Sequence, residues 1–382
     1  MQSKIKIWCE RLIAIGQLKI DRGGKSMNKK QLLSTGIAGI MAFAMAGCGQ
    51  AASTAGSSAE GTASASSKSA TAAVTSDSTK KDGNYTILMM PKLTNIPYFQ
   101  ATGEGAAEAG KELGVNVIVD GPTTADAAQQ VTMLENYIAQ GVDAICVAPN
   151  DPQAMTTVLK SAKDKGILVL DWDTQADPSV TDASVYNVVD KDFGEHMVDK
   201  LVEKMGTDTA DIAIITGGLS AANLNAWIDA GKTYMAEKYP GLNLVTDPIP
   251  SNESQDEAYA KTKELMTAYP NVKGILGYSS PTGPGCGKAI YDLGLQDQVA
   301  VVANGLEDDC QEVLNNGGLD MACLWSCQKL GRLTIATAFS MLQNNGTLPA
   351  DGSKINGWDE AVISDGSHNV YLTKGGEDFE KK

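Results

Sequence analysis

From residue 85 onward the chain alternates short apolar segments with longer amphipathic ones, and then repeats the pattern. Residues 85–90 (YTILMM) form a predicted strand, and 98–113 a helix with Ala, Gly and Leu on one face. Strand 115–119, helix 125–140, strand 143–148 and helix 153–165 follow, and strand 167–170 runs into Asp171-Trp172-Asp173. The alternation restarts with strand 185–188 and helix 193–205, then 211–216, 225–238, 242–246, 256–268, 272–278, 287–293, 299–303, 310–316 and 320–325. A final helix, 329–344, precedes a strand-and-turn tail that ends near residue 374. Short apolar strands joined by helices of this length imply βαβ units and parallel sheets. Two such runs imply an α/β fold of two doubly wound, Rossmann-like lobes, whose ligands bind beyond the carboxyl ends of the strands.

The segment before residue 85 has a different character. Met27, Asn28, Lys29 and Lys30 make a short basic start, an apolar run spans 32–45, and Met45-Ala46-Gly47-Cys48 closes it. Basic, apolar and small-residue regions in that order are a secretory signal. The apolar run falls short of the roughly 20 residues that cross a bilayer. A Cys after Ala-Gly resembles a bacterial lipobox, in which the thiol is diacylated and becomes the new N-terminus, although Met45 stands where Leu is usual. Residues 27–47 are therefore expected to be a lipoprotein signal peptide and Cys48 the lipidation site. Residues 1–26 fit neither leader nor domain, and Met27 is expected to be the true start. Residues 48–84 are almost wholly Ala, Ser, Thr and Gly. They cannot bury a core and read as a disordered tether, with a span of about 30–35 Å.

Charge and residue usage exclude several functions. The chain carries −15 overall, and residues 1–47 hold eight Lys/Arg against two Asp/Glu, so the remainder stands at −21. Such acidity argues against nucleic acid and anionic lipid surfaces as partners. Cys146, Cys286, Cys310, Cys323 and Cys327 are odd in number and show no metal-ligand spacing; one disulfide among those other than Cys146 is possible, and a disulfide framework is not indicated. Cys146 lies in an apolar strand and is expected to act as a small hydrophobe. With only His196 and His368, there is little material for histidine catalysis, and neither a metal nor a cofactor is expected.

At the strand ends the sequence resembles the periplasmic sugar-binding proteins of ABC importers, in the branch that binds rhamnose and autoinducer-2. The likeness rests on Pro91-Lys92-Leu93, Pro97-Tyr98-Phe99, Asp120-Gly121-Pro122-Thr123, the run from Ala139 to Ile145, Asp171-Trp172-Asp173 and Leu324-Trp325. It implies the type I periplasmic binding fold, two lobes joined by three hinge strands. The first lobe would comprise 85–190 and 327–352, and the second 191–326 and 353–382. Crossings would fall near Val189-Asp190, near Ser326 and near the last strand.

The resemblance also implies a site. Asp173 would accept bonds from ring hydroxyls, the alternative being a solvated loop or cap. Lys92 would donate to a hydroxyl, the alternative being a surface lysine. Tyr98 and Phe99 open a helix, where one would cover the apolar face of a sugar. Trp325 would wall the cleft or pack at a hinge, and Trp172 would be buried behind Asp173. In the second lobe Asn223 and Asn225 would present amides or cap a helix. Ser280 and Pro281, in the loop that runs from Ser279 to Thr282, would supply backbone and small side-chain contacts, with Asn304 beyond the next strand. Asn223-Leu224 stands where the autoinducer-2 pattern has an acid and a Gln, which points to another ligand.

Gly283-Pro284-Gly285-Cys286-Gly287-Lys288 looks like a phosphate loop, but Thr282 replaces the first Gly and Ala289 the magnesium-binding hydroxyl. The expected function is non-enzymatic capture of a monosaccharide or polyol for an ABC permease. A sensory module that presents the ligand to a membrane receptor, or a binder of an autoinducer-2-like furanose, is the alternative. No catalytic residue is expected, since a carbohydrate-active enzyme needs a carboxylate pair at defined separation or a nucleophile–base set. The expected partners are the sugar, the permease and the membrane through the lipid, with no nucleic acid. The chain is expected to be a monomer.

Overall fold

The computed structural model describes residues 84–382. The expected leader, Cys48 and almost all of the tether lie outside the described residues. In chain order the elements are β1 (Thr86–Met90), α1 (Pro97–Leu113), β2 (Asn116–Val119), α2 (Ala127–Gln140), β3 (Ala144–Val147), α3 (Pro152–Asp164), β4 (Leu168–Trp172) and β5 (Ala183–Tyr186). Next come α4 (Asp190–Met205), β6 (Thr209–Thr216), α5 (Ala222–Lys238), β7 (Gly241–Leu244), β8 (Ile249–Pro250), α6 (Gln255–Ala268), β9 (Gly274–Tyr278), α7 (Thr282–Asp292) and β10 (Ala300–Asn304). The chain ends with α8 (Glu307–Asn315), β11 (Met321–Leu324), α9 (Cys327–Gln343), β12 (Ile363–Ser364), β13 (Asn369–Tyr371) and β14 (Glu377–Phe379).

Two sheets form, each at the heart of one lobe. The first has the order β12-β13-β5-β4-β3-β1-β2, parallel except for the β12–β13 hairpin. The second runs β14-β11-β10-β9-β6-β7, with β8 also on β6 and β14 antiparallel to β11. β1, β3, β4 and β9 are buried along almost their whole length, as expected for strands covered by helices on both faces. Helix starts follow local chemistry. Asp126 and Asp151 cap α2 and α3 by accepting from the N–H groups two and three residues on, and Pro97 opens α1 where its missing N–H costs nothing. α9 returns to the first lobe and packs on α1 through glycines: a Cβ at Gly331 would overlap the Thr102 carbonyl, and one at Gly105 that of Gln328.

The chain passes between the sheets three times, after β5, between β11 and α9, and between β13 and β14. The tail departs from expectation. The resemblance puts residues 353–382 in the second lobe, but β12 and β13 complete the first sheet, with β13 parallel to β5, and only β14 joins the second. Strands of two or three residues carry no usable period, and their partners are set by where the crossing delivers them. The helix expected over 287–293 begins at Thr282, so the apparent phosphate loop is helical and buried. Its glycines lie flush against neighbours: a Cβ at Gly283 would meet the Asn304 carbonyl, and one at Gly285 that of Gln255. All five described cysteines are free and buried. No helix among the described residues is long and apolar enough to cross a membrane.

Candidate ligand-binding site

The carboxyl ends of the two sheets face each other, and the side chains that leave them meet in one buried cluster. Asp173 follows β4 with φ +61, a backbone conformation that Asp tolerates better than most residues. Its Oδ1 accepts from the Tyr98 hydroxyl at 2.6 Å and Asn187 Nδ2 at 2.9 Å. Its Oδ2 accepts from Thr174 Oγ1 at 3.1 Å and Asn223 Nδ2 at 3.4 Å. Lys92 follows β1 and is 3 % exposed, which removes the surface-lysine alternative. Its ammonium donates to Asn223 Oδ1 at 3.2 Å and stands 3.5 Å from Asp173 and 3.9 Å from Glu253. Buried charges persist only when paired and hydrogen-bonded, and this ammonium has both kinds of partner.

Aromatic rings wall the cluster. Trp325 leaves β11 at the second crossing and donates from Nε1 to the Tyr98 hydroxyl at 3.1 Å. It lies edge-on to Tyr98, Phe193 and Trp227, with centroids 6.1, 5.7 and 5.6 Å away. Such pairs contribute ~0.5–1.5 kcal/mol each beyond their burial, so Trp325 both walls the cleft and packs the hinge. Phe99 meets Tyr98 and Trp172 edge-on, and Trp172 is buried behind Asp173. Burial and the neighbouring Asp173 charge push the Tyr98 phenol well above its ordinary value, so it stays a donor.

These groups surround a chamber of about 30 Å³, lined by Lys92, Tyr98, Phe99, Asp173, Glu253 and Trp325 among others. A cleft of about 1120 Å³ leads to it between the lobes, past Asn95, Ser220, Asn252 and Pro281. The inner space holds one or two waters, so a larger guest enters only if the lobes part. Polar contacts that cross the cleft must then break, among them Lys92 to Asn223 and Glu253, Asn223 to Asp173, Thr174 to Asn223 at 2.9 Å, and Ser220 Oγ to the Asn150 carbonyl at 2.8 Å.

The structure brings Lys92, Tyr98, Phe99, Asp173, Asn223, Ser280, Asn304 and Trp325 to the chamber, while Pro281 lines only the outer cleft. Asn304 is occupied by protein, its Oδ1 accepting from Ser279 N and its Nδ2 donating to the Cys323 carbonyl. Asn225 lines neither space, and its amide donates to the Leu219 carbonyl instead. Neither Asn223 nor Asn225 caps α5, whose cap position is Ala221.

Sequence reasoning missed Glu253 and Trp227. Glu253 follows the two-residue strand β8, has φ +57 and accepts a short hydrogen bond from the Ser279 hydroxyl. Its one signal is an acid just ahead of the helix cap Ser254, in the SNES run. Trp227, on α5, donates to Asp190 at 2.8 Å, and burial raises that carboxyl. With one ammonium and two carboxylates, the chamber disfavours an anionic guest.

Comparison with known proteins places this arrangement. Residues 87–346 match the family model described as a periplasmic binding protein domain. A D-ribose/D-allose-binding protein of Pseudomonas aeruginosa is 26 % identical over 67 % of this chain and 81 % of its own. The ribose import binding protein of Escherichia coli is 22 % identical over 71 % and 88 %. Among solved structures, a solute-binding protein of Clostridium phytofermentas with bound L-rhamnose superposes with TM-score 0.71 at 25 % identity, covering 78 % of this chain and 96 % of that one. LsrB of Clostridium saccharobutylicum in complex with AI-2 gives 0.70 at 25 % identity, covering 78 % and 97 %. With two hinged parallel-sheet lobes, a polar cluster at their facing strand ends, and a family match over most of its length, the chain belongs to the periplasmic binding proteins.

Proposed function

We propose that this chain is an extracytoplasmic solute-binding lipoprotein that captures a neutral monosaccharide or related polyol and delivers it to an ABC permease. The observation that carries the reading is the buried Lys92–Asp173–Glu253 cluster beside Tyr98 and Trp325, which combines acceptors, a donor and ring faces at the junction of two lobes. Vicinal hydroxyls both donate and accept, which suits this mixture. A relative named for ribose and allose, and a neighbour solved with bound L-rhamnose, support the sugar class. Asn223-Leu224, in place of an acid and a Gln, favours a ligand other than autoinducer-2.

Capture works by exchange. When the lobes part, Lys92 and Asp173 leave Asn223 and Glu253, and a sugar that re-bridges them stabilises closure by contacts made only in the closed state. Micromolar affinity corresponds to about −8 kcal/mol, within reach of a few charge-assisted bonds and one covered ring face. Nothing in this sequence of steps breaks a covalent bond of the guest. Diacylation of Cys48 would hold the domain at the membrane on a tether of about 30–35 Å.

The test is calorimetry of the wild type and Asp173→Ala against a panel of pentoses, hexoses, deoxyhexoses and polyols. Binding of one panel member that is recovered unchanged, and lost in a variant with native circular dichroism, supports the reading. Equal affinity in the variant removes Asp173 from the site, and turnover of the sugar overturns capture.

A further inference from the structure

His196, Cys323 and Asp378 lie far apart in the sequence, yet the fold gathers them on one side of the second lobe. Cys323 on β11 and Asp378 on β14 are register partners of an antiparallel pair, so their side chains leave the sheet on the same face. α4 crosses that face and presents His196. One ligand atom from each lies within 4.8 Å of the other two, and His196 Nε2 is 2.7 Å from Asp378 Oδ1. Gly376 abuts the thiol, where a Cβ would come within 2.5 Å of Sγ and crowd it. Cys323 is buried, whereas the His196 and Asp378 side chains are 34 % and 26 % exposed, so the cluster has a wet side.

We propose that His196, Cys323 and Asp378 form a binding site for a borderline-soft divalent cation of the zinc type, with water at the fourth position. Imidazole nitrogen, thiolate sulfur and carboxylate oxygen make a donor set that suits zinc better than calcium or magnesium. Tetrahedral bonds of about 2.0–2.3 Å separate nitrogen and oxygen ligands by about 3.4 Å. The His196–Asp378 pair must therefore open by about 0.7 Å, a rotamer-scale movement at two half-exposed side chains. Among the described residues Lys200 is the cation paired with the cluster, 3.6 Å from Asp378, and it already holds Glu203 at 3.1 Å, to which it can turn. A thiol must give up its proton to ligate a metal. Metal binding thus exchanges one proton for the cation. The bound ion would fasten β14, the last strand, to β11 and α4, where the third crossing enters the second lobe.

Cobalt(II) is the probe, added to the purified chain and followed by the thiolate-to-metal charge-transfer band, then displaced by zinc. The expected result is one cobalt equivalent whose band is absent in Cys323→Ser, together with release of about one proton per zinc. Affinity should fall at least tenfold in His196→Ala and Asp378→Asn, since loss of even an outer-shell partner costs about 10–100-fold. Sugar binding should be retained in both. A band of equal amplitude in Cys323→Ser, or zinc affinity unchanged in His196→Ala, leaves only an ordinary histidine–carboxylate pair and overturns the site. Should Cys323→Ser fail to fold, the half-exposed His196→Ala carries the test alone.

Discussion

Replacing Lys92 by Met asks whether the buried cluster is one electrostatic unit. Among the described residues Lys92 is the cation that pairs with both carboxylates, 3.5 Å from Asp173 and 3.9 Å from Glu253. At an effective dielectric of ~20 the two attractions are worth about 4–5 kcal/mol each before desolvation. Both carboxylates reach the same nitrogen, so they lie within about 7 Å of each other and repel by roughly 2 kcal/mol once it is gone. Removing one partner of a buried pair costs ~3–5 kcal/mol. For about 300 ordered residues that unfold as one unit, 3 kcal/mol lowers the melting temperature by ~5 °C. Asp173→Asn keeps the left-handed backbone tolerable and removes one of the two charges. The double variant should therefore lose less than the singles predict, with a coupling of ~1–3 kcal/mol. Urea denaturation of the four proteins measures this. Losses that add within about 0.5 kcal/mol would mean the three groups act independently, and the reasoning from their geometry would be wrong.

Other substitutions probe separate parts of the molecule. Glu253→Gln should weaken binding of the ligand found in the sugar panel by ~10–100-fold, the value of a charge-assisted bond, and calorimetry reads it directly. Asp171 lies behind the site, where burial pushes its carboxyl up to about 7, partly offset by the Ser184 hydroxyl and the Ala176 N–H. The folded protein then holds a proton that the unfolded chain has lost, so stability is full below about pH 4 and declines as pH rises towards 7, by at most roughly 4 kcal/mol. Asp171→Asn should flatten that decline in urea midpoints measured from pH 5 to 8, and an unchanged slope would contradict it. Gly331→Ala drives a methyl into the Thr102 carbonyl and should cost ~1–3 kcal/mol, seen as an earlier urea midpoint. Cys48→Ser should release the protein from membranes into the medium, checked by fractionation.

The alternation of elements was legible because parallel strands covered on both faces are apolar along their length, as in Ile87–Met90 and Ala144–Val147. Asp173 and Lys92 were legible because each stands within two residues of the end of such a strand. Glu253 was not, since β8 is two residues long and leaves no periodic trace. Trp227 sits on an expected helix, but the rotation that turns it towards Trp325 depends on packing with Phe193 across α4. The start of α7 was hidden by Gly283-Pro284-Gly285, residues that signal a loop in isolation. Here a proline in the first turn costs no hydrogen bond, and the glycines admit the backbones of β10 and α6. Tertiary contact, absent from any local window, decides those positions.

Asp173, Glu253 and Ser279 all carry positive φ angles of 61°, 57° and 112°, and all three line the inner chamber. Each conformation costs a non-glycine residue of order 1–3 kcal/mol. Glycine would relieve that strain, but at Asp173 or Glu253 it would also strip buried Lys92 of a carboxylate, a loss of ~3–5 kcal/mol that exceeds the relief. An engineer guided by backbone angles alone would be drawn to these three sites first, and at the two acids would lose sturdiness and grip together.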